Sequence, residues 1–208
     1  MPARTTREPQ QARAVATRGR IIDAAAAILT ERGYAAVTTK AVCARAGVSR
    51  GAHLHHFPTR ADLLAGAVGH LLELRRQELT ARLADLEVGT SIEQMLAVIW
   101  PAFEDATFVA WAELCMAART EPDLAARLME VDVRFTEATR ADFVELLDDR
   151  VPDDPAVAEL VRDLLFAALV GLGFERLLPR PRRDVQDYFS LLGRLADAAL
   201  RETPEAGS

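Results

Sequence analysis

Along most of this chain, apolar residues recur every three or four positions, and no segment shows the apolar–polar alternation of a half-buried strand. Ile21, Ile22, Ala25, Ile28 and Leu29 begin this pattern and share one side of a helix. The composition agrees, since half of the 208 residues are hydrophobic, with many Ala and Leu, and only 6% are aromatic. We therefore predict an all-α protein with a sizeable core.

Three short helices are predicted near the N-terminus. The first spans residues 18–32 and ends near Gly33, since glycine is a common residue just after a helix. The second begins after the capping residue Thr38 and ends at Gly47, and the third follows the capping residue Ser49. Two short helices joined by a glycine-containing turn, with a further helix to pack against them, predict a helix-turn-helix domain.

A long helix capped by Thr59 follows, and the rest of the chain is helical between polar breaks. The predicted helical ranges are 91–104, 107–119, 122–148, 154–178 and 184–202. Residues 1–17 are polar and Arg-rich without an apolar period, and are predicted to form a flexible basic arm. The helix-turn-helix domain would then span 18–62, and a second helical domain 63–203.

Charge is unevenly distributed along the chain. The net charge is -6, which by itself disfavours a polyanionic partner. Residues 1–60, however, hold ten Lys and Arg against three Asp and Glu, a net charge of +7. Residues 61–208 then carry fifteen bases and twenty-eight acids, a net charge of -13. A basic head on an acidic body predicts that only the head contacts nucleic acid.

Neither a membrane span nor a secretory signal is predicted. The chain has no run of 18 apolar residues, and its N-terminal stretch lacks an apolar core. Cys43 and Cys115 are far apart in sequence and form no CxxC pair. We therefore expect a cytoplasmic protein with reduced thiols.

Residues 18–64 read RGRIIDAAAAILTERGYAAVTTKAVCARAGVSRGAHLHHFPTRADLL. This segment resembles the DNA-binding domain of the TetR family of transcriptional regulators, in which a helix ending near RGY or RGF precedes TT, AGVS and an HF pair at fixed offsets. The match covers about a quarter of the chain, and the rest agrees in length and helical layout. The resemblance implies a dimeric regulator, most often a repressor, whose C-terminal helices bind a small molecule.

The helix that opens with Ser49 and Arg50 is predicted to enter a major groove of double-stranded DNA. An Arg there can bond guanine O6 and N7, which contributes roughly 1–3 kcal/mol of discrimination per bidentate pair. Gly51 and Ala52 are small, so that the backbone can approach the base edges, and Ala52 can contact a thymine methyl group.

Further contacts to the DNA backbone are expected beside this helix. Thr38 and Thr39 offer hydroxyls and N–H groups at a helix N-terminus, which suit phosphate. The resemblance adds Lys40 at a base or phosphate, and His56 and Arg60 at the backbone. The complete set of predicted DNA contacts is Thr38, Thr39, Lys40, Ser49, Arg50, Gly51, Ala52, Leu54, His55, His56 and Arg60.

Three histidines stand within four positions, at 53, 55 and 56. His55 and His56 are predicted to contact DNA or, failing that, to be plain surface, because a structural zinc site needs about four ligands and a helical turn supplies two. His53 and Leu54 replace a Leu-Tyr pair of the family, so that the phosphate contact of the Tyr is lost. His53 stands at a usually apolar position and is either a hydrogen-bonded core residue or turned to solvent. We expect no metal, no cofactor and no catalysis.

Aromatic residues concentrate in the middle helices of the acidic body, where the resemblance implies a site for a small, apolar effector. The predicted ligand contacts are Trp100, Phe103, Phe108, Trp111, Glu113, Phe135, Phe166 and Phe174. An ordinary place in the core is the alternative for each aromatic residue, and a solvated position is the alternative for Glu113, the predicted polar anchor.

The two C-terminal helices are apolar on broad faces and are predicted to pair with a second copy in a four-helix bundle, although an ordinary core hairpin is also open. In such a dimer the effector would change the separation of the two DNA-reading helices, with the helix after Thr59 transmitting the change. A helical protein-binding adaptor, or an activator without an effector, is the alternative function. An enzyme is disfavoured, because the sequence shows no nucleophile–base spacing, metal cluster or phosphate loop.

Overall fold

The computed structural model describes residues 7–87, 89–147, 155–179 and 181–201, and these ranges consist of helices and their connections without a strand. The α-helices described there are α1 Arg7–Arg32, α2 Thr39–Ala46, α3 Arg50–His56, α4 Arg60–Ala84, α5 Ile92–Ile99, α6 Ala106–Ala118, α7 Pro122–Leu147, α8 Pro155–Arg176 and α9 Val185–Arg201. Short 3₁₀ turns lie at Tyr34–Ala36 and Trp100–Phe103. The all-α prediction is confirmed, and the helices predicted beyond residue 90 lie close to the observed ones.

The predicted flexible arm is wrong over residues 7–17, because α1 begins at Arg7 rather than near residue 18. Arg4 lies in residues 1–6, outside the described part of the chain. Apolar residues do not recur at helical spacing in residues 7–17, so the apolar pattern does not predict a helix there. The residues Gln, Ala and Arg nevertheless have a high intrinsic helix propensity. Pro9 falls in the first turn, where a missing N–H costs no helical hydrogen bond.

The chain divides into two compact units. Unit 1 is Met1–Leu72 together with Val109–Asp132, and unit 2 is Glu73–Phe108 together with Val133–Ser208. Unit 1 therefore includes the helix-turn-helix segment and also most of α6 and the first part of α7. The single domain boundary at residue 62 stays a prediction, since these units are each built from two stretches of chain.

The core of unit 1 gathers the apolar side of α1 against the helices that follow it. Its fully buried members include Ile21, Leu29, Val37, Val42, Leu63, Leu64, Val68, Leu114 and Leu124. The α1 residues expected to be buried from their spacing are all in this core. Burial of each large aliphatic side chain contributes about 1.5–3 kcal/mol, so the short α2 and α3 are held by packing rather than by their own helix propensity.

Unit 2 is built around the contact of α9 with α5 and α8. Phe189 on α9 is fully buried, and its ring meets that of Trp100 edge to face at 5.8 Å. Gly193 permits a close approach, because a Cβ at this position would lie 3.1 Å from the backbone nitrogen of Glu93. One turn earlier, the Ser190 hydroxyl donates to Glu93 Oε1 at 2.6 Å.

Three chemical properties of the described residues bear on function. No group of three or more His, Cys, Asp or Glu side chains there is arranged to hold a metal ion. No single described helix is long and apolar enough to cross a membrane, and only the bent pair Ile92–Phe103 with Ala106–Ala118 reaches that length and composition. Cys43 and Cys115 are free and half-buried. Burial and the nearby Asp132 raise the pKa of Cys115 to about 11, which keeps this thiol protonated near neutral pH.

Candidate nucleic-acid interface

One glycine sets the turn between α2 and α3. Gly47 ends α2 with a φ of 64° and a ψ of 40°, the left-handed conformation that glycine adopts without steric cost. Its N–H donates to the carbonyl of Cys43, and the N–H of Val48 donates to the same carbonyl at 3.2 Å. The tight turn predicted from the sequence is confirmed.

A hydroxyl side chain begins each helix of the motif. Thr38 Oγ1 accepts the N–H of Ala41 at 3.2 Å, and Ser49 Oγ accepts the N–H of Ala52 at 3.1 Å. Both caps were predicted, and a lost N-cap of this kind costs roughly 0.5–2 kcal/mol. Each hydroxyl accepts in its cap and keeps its own proton to donate elsewhere.

The third helix has a buried side and an exposed side. His53 and Phe57, one turn apart, are buried. The exposed positions are Arg50, Gly51, Leu54 and His55. Ala52 and His56 are half-buried at the border, and the rings of His55 and His56 meet edge to face at 5.3 Å. The residues predicted to reach base edges therefore lie on the solvent side of α3.

Basic side chains accompany this exposed side. Lys40 and Arg50 are exposed, and neither forms an ion pair within the described part of the chain. Arg45 differs, because its guanidinium makes two contacts of 2.6 Å with Glu31, and this hydrogen bonding lowers the pKa of the Glu31 carboxyl. Lys40 and Arg50 are thus the motif cations best placed to meet a polyanion.

Arg60, predicted to contact the DNA backbone, lies in a side-chain cluster within unit 1. Its Nη2 donates to the carbonyl of Tyr34 at 3.0 Å and its Nε to the carbonyl of Val37 at 3.3 Å. Its Nη1 donates to the Tyr34 phenol, and the guanidinium carbon stands 4.1 Å from the centre of the Tyr34 ring. The Tyr34 phenol in turn donates to Glu121. Burial and this bond to Glu121 raise the pKa of Tyr34.

Glu113, predicted to be a polar anchor for a ligand, lies in the same cluster. Its Oε2 accepts the backbone N–H of Tyr34 at 2.6 Å. Gly33 makes this approach possible, because a Cβ there would lie 2.8 Å from Glu113 Oε2. Trp111, another predicted ligand contact, packs against the core of unit 1. These surroundings give the ligand-binding prediction for Glu113 and Trp111 no support.

Comparison with known proteins agrees with the motif. Residues 21–67 match the model of the family described as "Bacterial regulatory proteins, tetR family". The HTH-type transcriptional regulator CymR of Pseudomonas putida is 40% identical over 119 residues, which cover 57% of this chain and 59% of CymR. The HTH-type transcriptional regulator UidR of Escherichia coli is 26% identical over 197 residues, which cover 91% of this chain and 97% of UidR.

A solved structure extends the likeness over most of the chain. The multidrug binding protein EbrR, crystallised with imidazole, superposes with a TM-score of 0.64 at 26% identity over 91% of this chain and 97% of EbrR. The chain is thus similar to the TetR family of transcriptional regulators, whose family model its residues 21–67 match. The two relatives CymR and UidR are described as HTH-type transcriptional regulators, which agrees with the DNA-binding regulator predicted from the sequence.

Unit 2 contains a continuous aromatic cluster. Its members are Trp100, Phe103, Phe108, Phe135, Phe166 and Phe174. Phe103 lies at the centre, with ring centroids 5.6 Å from Phe108 and 5.7 Å from Phe166. The structure thus brings together every predicted aromatic ligand contact except Trp111. A small, open cleft adjoins the cluster at Trp100 and is also lined by Arg176 and Tyr188.

A buried arginine beside these rings was missed by the sequence analysis. Arg162 on α8 stands 4.7 Å from the centre of the Phe166 ring, and it donates to the Thr139 hydroxyl. Its Nη1 lies 2.9 Å from Asp163, whose pKa is lowered by Arg140 first and by Arg162 second. The burial of Arg162 could have been predicted, because Arg162 lies at helical spacing from the buried leucines of α8.

His53 and Leu54 are the two residues in which the motif departs from the TetR-family pattern, and His53 lies in the core of the motif. Its side chain is 2% exposed, and neither ring nitrogen has a hydrogen-bond partner among the described residues. The sequence left open whether His53 is a hydrogen-bonded core residue or turned to solvent. It is a core residue, but the expected hydrogen bond is absent among the described residues. Burial lowers the pKa of His53, because the charged imidazolium is poorly solvated there.

We expect His53→Leu to raise the free energy of unfolding by about 1–3 kcal/mol, the usual cost of leaving a buried polar group unsatisfied. The folded-state pKa of His53 lies below the unfolded value of about 6.5. The stability of the wild type should therefore be unaffected by this group above that pH and should fall as the pH drops below it. Denaturant unfolding followed by circular dichroism between pH 5 and 8 measures both effects.

The matched control is His55→Leu, on the exposed side of the same helix, which should show no comparable gain in the free energy of unfolding. A His53→Leu variant that is less stable than the wild type, or equally sensitive to acid, would contradict this account of the buried imidazole.

Proposed function

We propose that this regulator is a repressor that binds a palindromic operator as a homodimer and leaves it when a small, largely apolar molecule binds to unit 2. The observation that carries the proposal is the division of α3 into a buried side and an exposed side that begins at Arg50. The charge distribution supports it, since residues 1–60 carry a net +7 and the remainder -13. A head of this charge would meet the phosphates while the body is repelled by them.

The proposed reading contacts are those of the exposed side of α3. Arg50 would bond a guanine with its guanidinium fork, while Gly51 and Ala52 let the backbone approach the bases. His55 would donate to a base or phosphate, and Leu54 offers an apolar contact only. The proposed backbone contacts are Thr38, Thr39, Lys40, Ser49 and His56.

An unpartnered apolar face supports dimerisation through α8 and α9. Leu160 and Leu164 on α8 and Leu191 and Leu195 on α9 are exposed, and each pair lies one helical turn apart. Exposed stripes of large apolar side chains mark association surfaces, because leaving them in water is unfavourable. Paired with a second copy, the two helices would complete a four-helix bundle.

The aromatic cluster supports a small aromatic effector. EbrR, 26–27% identical to this chain, was crystallised with imidazole, proflavin and ethidium, two of which are extended planar aromatic molecules. Rings that stack on one another in the free protein can also stack on such a ligand. The buried Arg162 beside Phe166 would orient the ligand, with its own charge balanced by Asp163.

Selection of bound sites from a random pool of double-stranded DNA tests the proposal. The enriched sites should be palindromes whose half-sites lie about 34–36 Å apart, or a multiple of this, because one reading helix would enter each major groove. A selection without protein gives the background. A promoter carrying the enriched site should lose activity when the protein is co-expressed. Absence of enrichment, or enrichment of sites without twofold symmetry, would count against the dimeric repressor.

A further inference from the structure

The connection between α1 and α2, residues 33–38, is held by a carboxylate from far along the chain. Glu113 accepts the backbone N–H of Tyr34 at 2.6 Å, across 79 positions in sequence. The absence of a side chain at Gly33 leaves room for this carboxylate. A charged acceptor on a backbone donor is among the stronger hydrogen bonds in proteins, so the contact fixes the position of this connection.

A second carboxylate holds the same connection through its tyrosine. Glu121 lies between α6 and α7, accepts the Tyr34 phenol, and has its Oε2 4.0 Å from Arg60 Nη1. Arg60 spreads its guanidinium over the Tyr34 ring and donates to the carbonyls of Tyr34 and Val37. We call Tyr34, Arg60, Glu113 and Glu121 the clamp.

The clamp lies at both ends of the α2–α3 pair. The chain enters the pair just after Val37, where Thr38 caps α2, and it leaves the pair at Arg60, the first residue of α4. The hydrogen bond from Arg60 to the carbonyl of Val37 therefore ties the entry to the exit. The contacts of the clamp therefore act on both ends of the α2–α3 segment.

We propose that Glu113 and Glu121 are positioning residues for DNA binding, and that Arg60 acts through them rather than by bonding a phosphate. The guanidinium of Arg60 is engaged by two carbonyls, a phenol and an aromatic ring, so that few of its donors are left for DNA. The inference rests on the proposed role of α3 as the reading helix.

The clamp and a phosphate contact predict opposite results. If Arg60 bonds a phosphate, lysine can replace it, and alanine lowers the slope of log affinity against log salt by about two, because a dimer loses two such contacts. An acid near DNA repels it, so without a clamp the variant Glu121→Gln binds DNA as well as the wild type or better. In the clamp, Glu121→Gln weakens binding, because a neutral amide holds the tyrosine and arginine less strongly.

The experiment measures the affinity of the full chain for its selected operator at several salt concentrations. We expect Glu121→Gln, Arg60→Ala and Arg60→Lys each to weaken binding about three- to tenfold with an unchanged salt slope, and the double variant Glu121→Gln/Arg60→Ala to be no weaker than Arg60→Ala alone. Circular dichroism establishes that each variant is folded. Glu78→Gln is the matched control, since it also removes one carboxylate charge but its side chain pairs with Arg82 on the same helix, away from the clamp.

Two results would overturn the clamp: wild-type or tighter binding by Glu121→Gln, or wild-type affinity of Arg60→Lys with a reduced salt slope of Arg60→Ala. The variant Arg50→Ala separates this failure from failure of the proposed function. If Arg50→Ala loses site-specific binding while the clamp variants keep wild-type affinity, the role of α3 as the reading helix is retained and the positioning role of the clamp is rejected. If Arg50→Ala keeps site-specific binding, the reading helix itself is wrong.

Discussion

Replacing Arg50 by alanine is expected to lower the affinity for the selected operator by about 30-fold or more. Each bidentate contact of an Arg with guanine contributes roughly 1–3 kcal/mol of discrimination, and a dimer would carry two of them. Arg50 is the first residue of α3, is exposed, and forms no ion pair with other described residues. Its removal would therefore delete a contact to DNA without breaking one inside the protein.

The loss should be specific to the operator sequence. Fluorescence anisotropy with operator and random duplexes should show a much smaller loss on random DNA, because non-specific affinity comes mainly from phosphate contacts. Arg45→Ala is the matched control, since it removes an exposed Arg of α2 that is already paired with Glu31. We expect it to change operator affinity little. If Arg50→Ala selects the same site with equal affinity, Arg50 does not read the operator.

The helix-turn-helix motif could be predicted because the features that build it are local in sequence. A hydroxyl residue before a helix, a glycine after it and apolar positions at helical spacing each act over three or four residues. The caps at Thr38 and Ser49 and the turn at Gly47 lie where these rules place them. The boundaries of the later helices followed from polar breaks in the same way.

The start of α1 could not be predicted from apolar spacing, because residues 7–17 have no regular apolar positions. That segment is helical through intrinsic propensity and through continuity with the buried part of α1, which a search for apolar stripes does not register. Similarly, Arg162 was overlooked because charge was taken as a sign of exposure. A guanidinium can be buried when a carboxylate and an aromatic ring contact it, as Asp163 and Phe166 contact Arg162.

The clamp could not be predicted from the sequence at all. Tyr34 and Glu113 are exposed or half-buried polar residues 79 positions apart, and no periodicity or cap connects them. Only the packing of α6 against the core of unit 1 brings the carboxylate to the backbone N–H. His53 is an intermediate case, since the family pattern marked the position as unusual but tertiary burial decided its environment.

The double variant Leu164→Glu/Leu195→Glu is expected to convert the proposed dimer into monomers. Both leucines are exposed in the single chain, at 69% and 59%, so the substitution should leave the subunit folded. In a four-helix bundle the same positions would be buried against the second copy, and an unpaired carboxylate there is strongly unfavourable. Size-exclusion chromatography with light scattering should report the mass of one chain.

Dissociation should also remove most of the operator affinity. When two reading helices are linked, the second half-site is bound intramolecularly, and this typically strengthens binding by about 10²- to 10⁴-fold. A monomer loses this gain even though its α3 is intact, so its affinity for a single half-site should equal that of the wild type. Met129→Glu is the matched control, because Met129 is 64% exposed on α7, outside the proposed interface. This variant should remain a dimer. A Leu164→Glu/Leu195→Glu protein that keeps the dimer mass and the operator affinity would exclude α8 and α9 as the interface. Loss of affinity with an unchanged dimer mass would place these leucines in a different role.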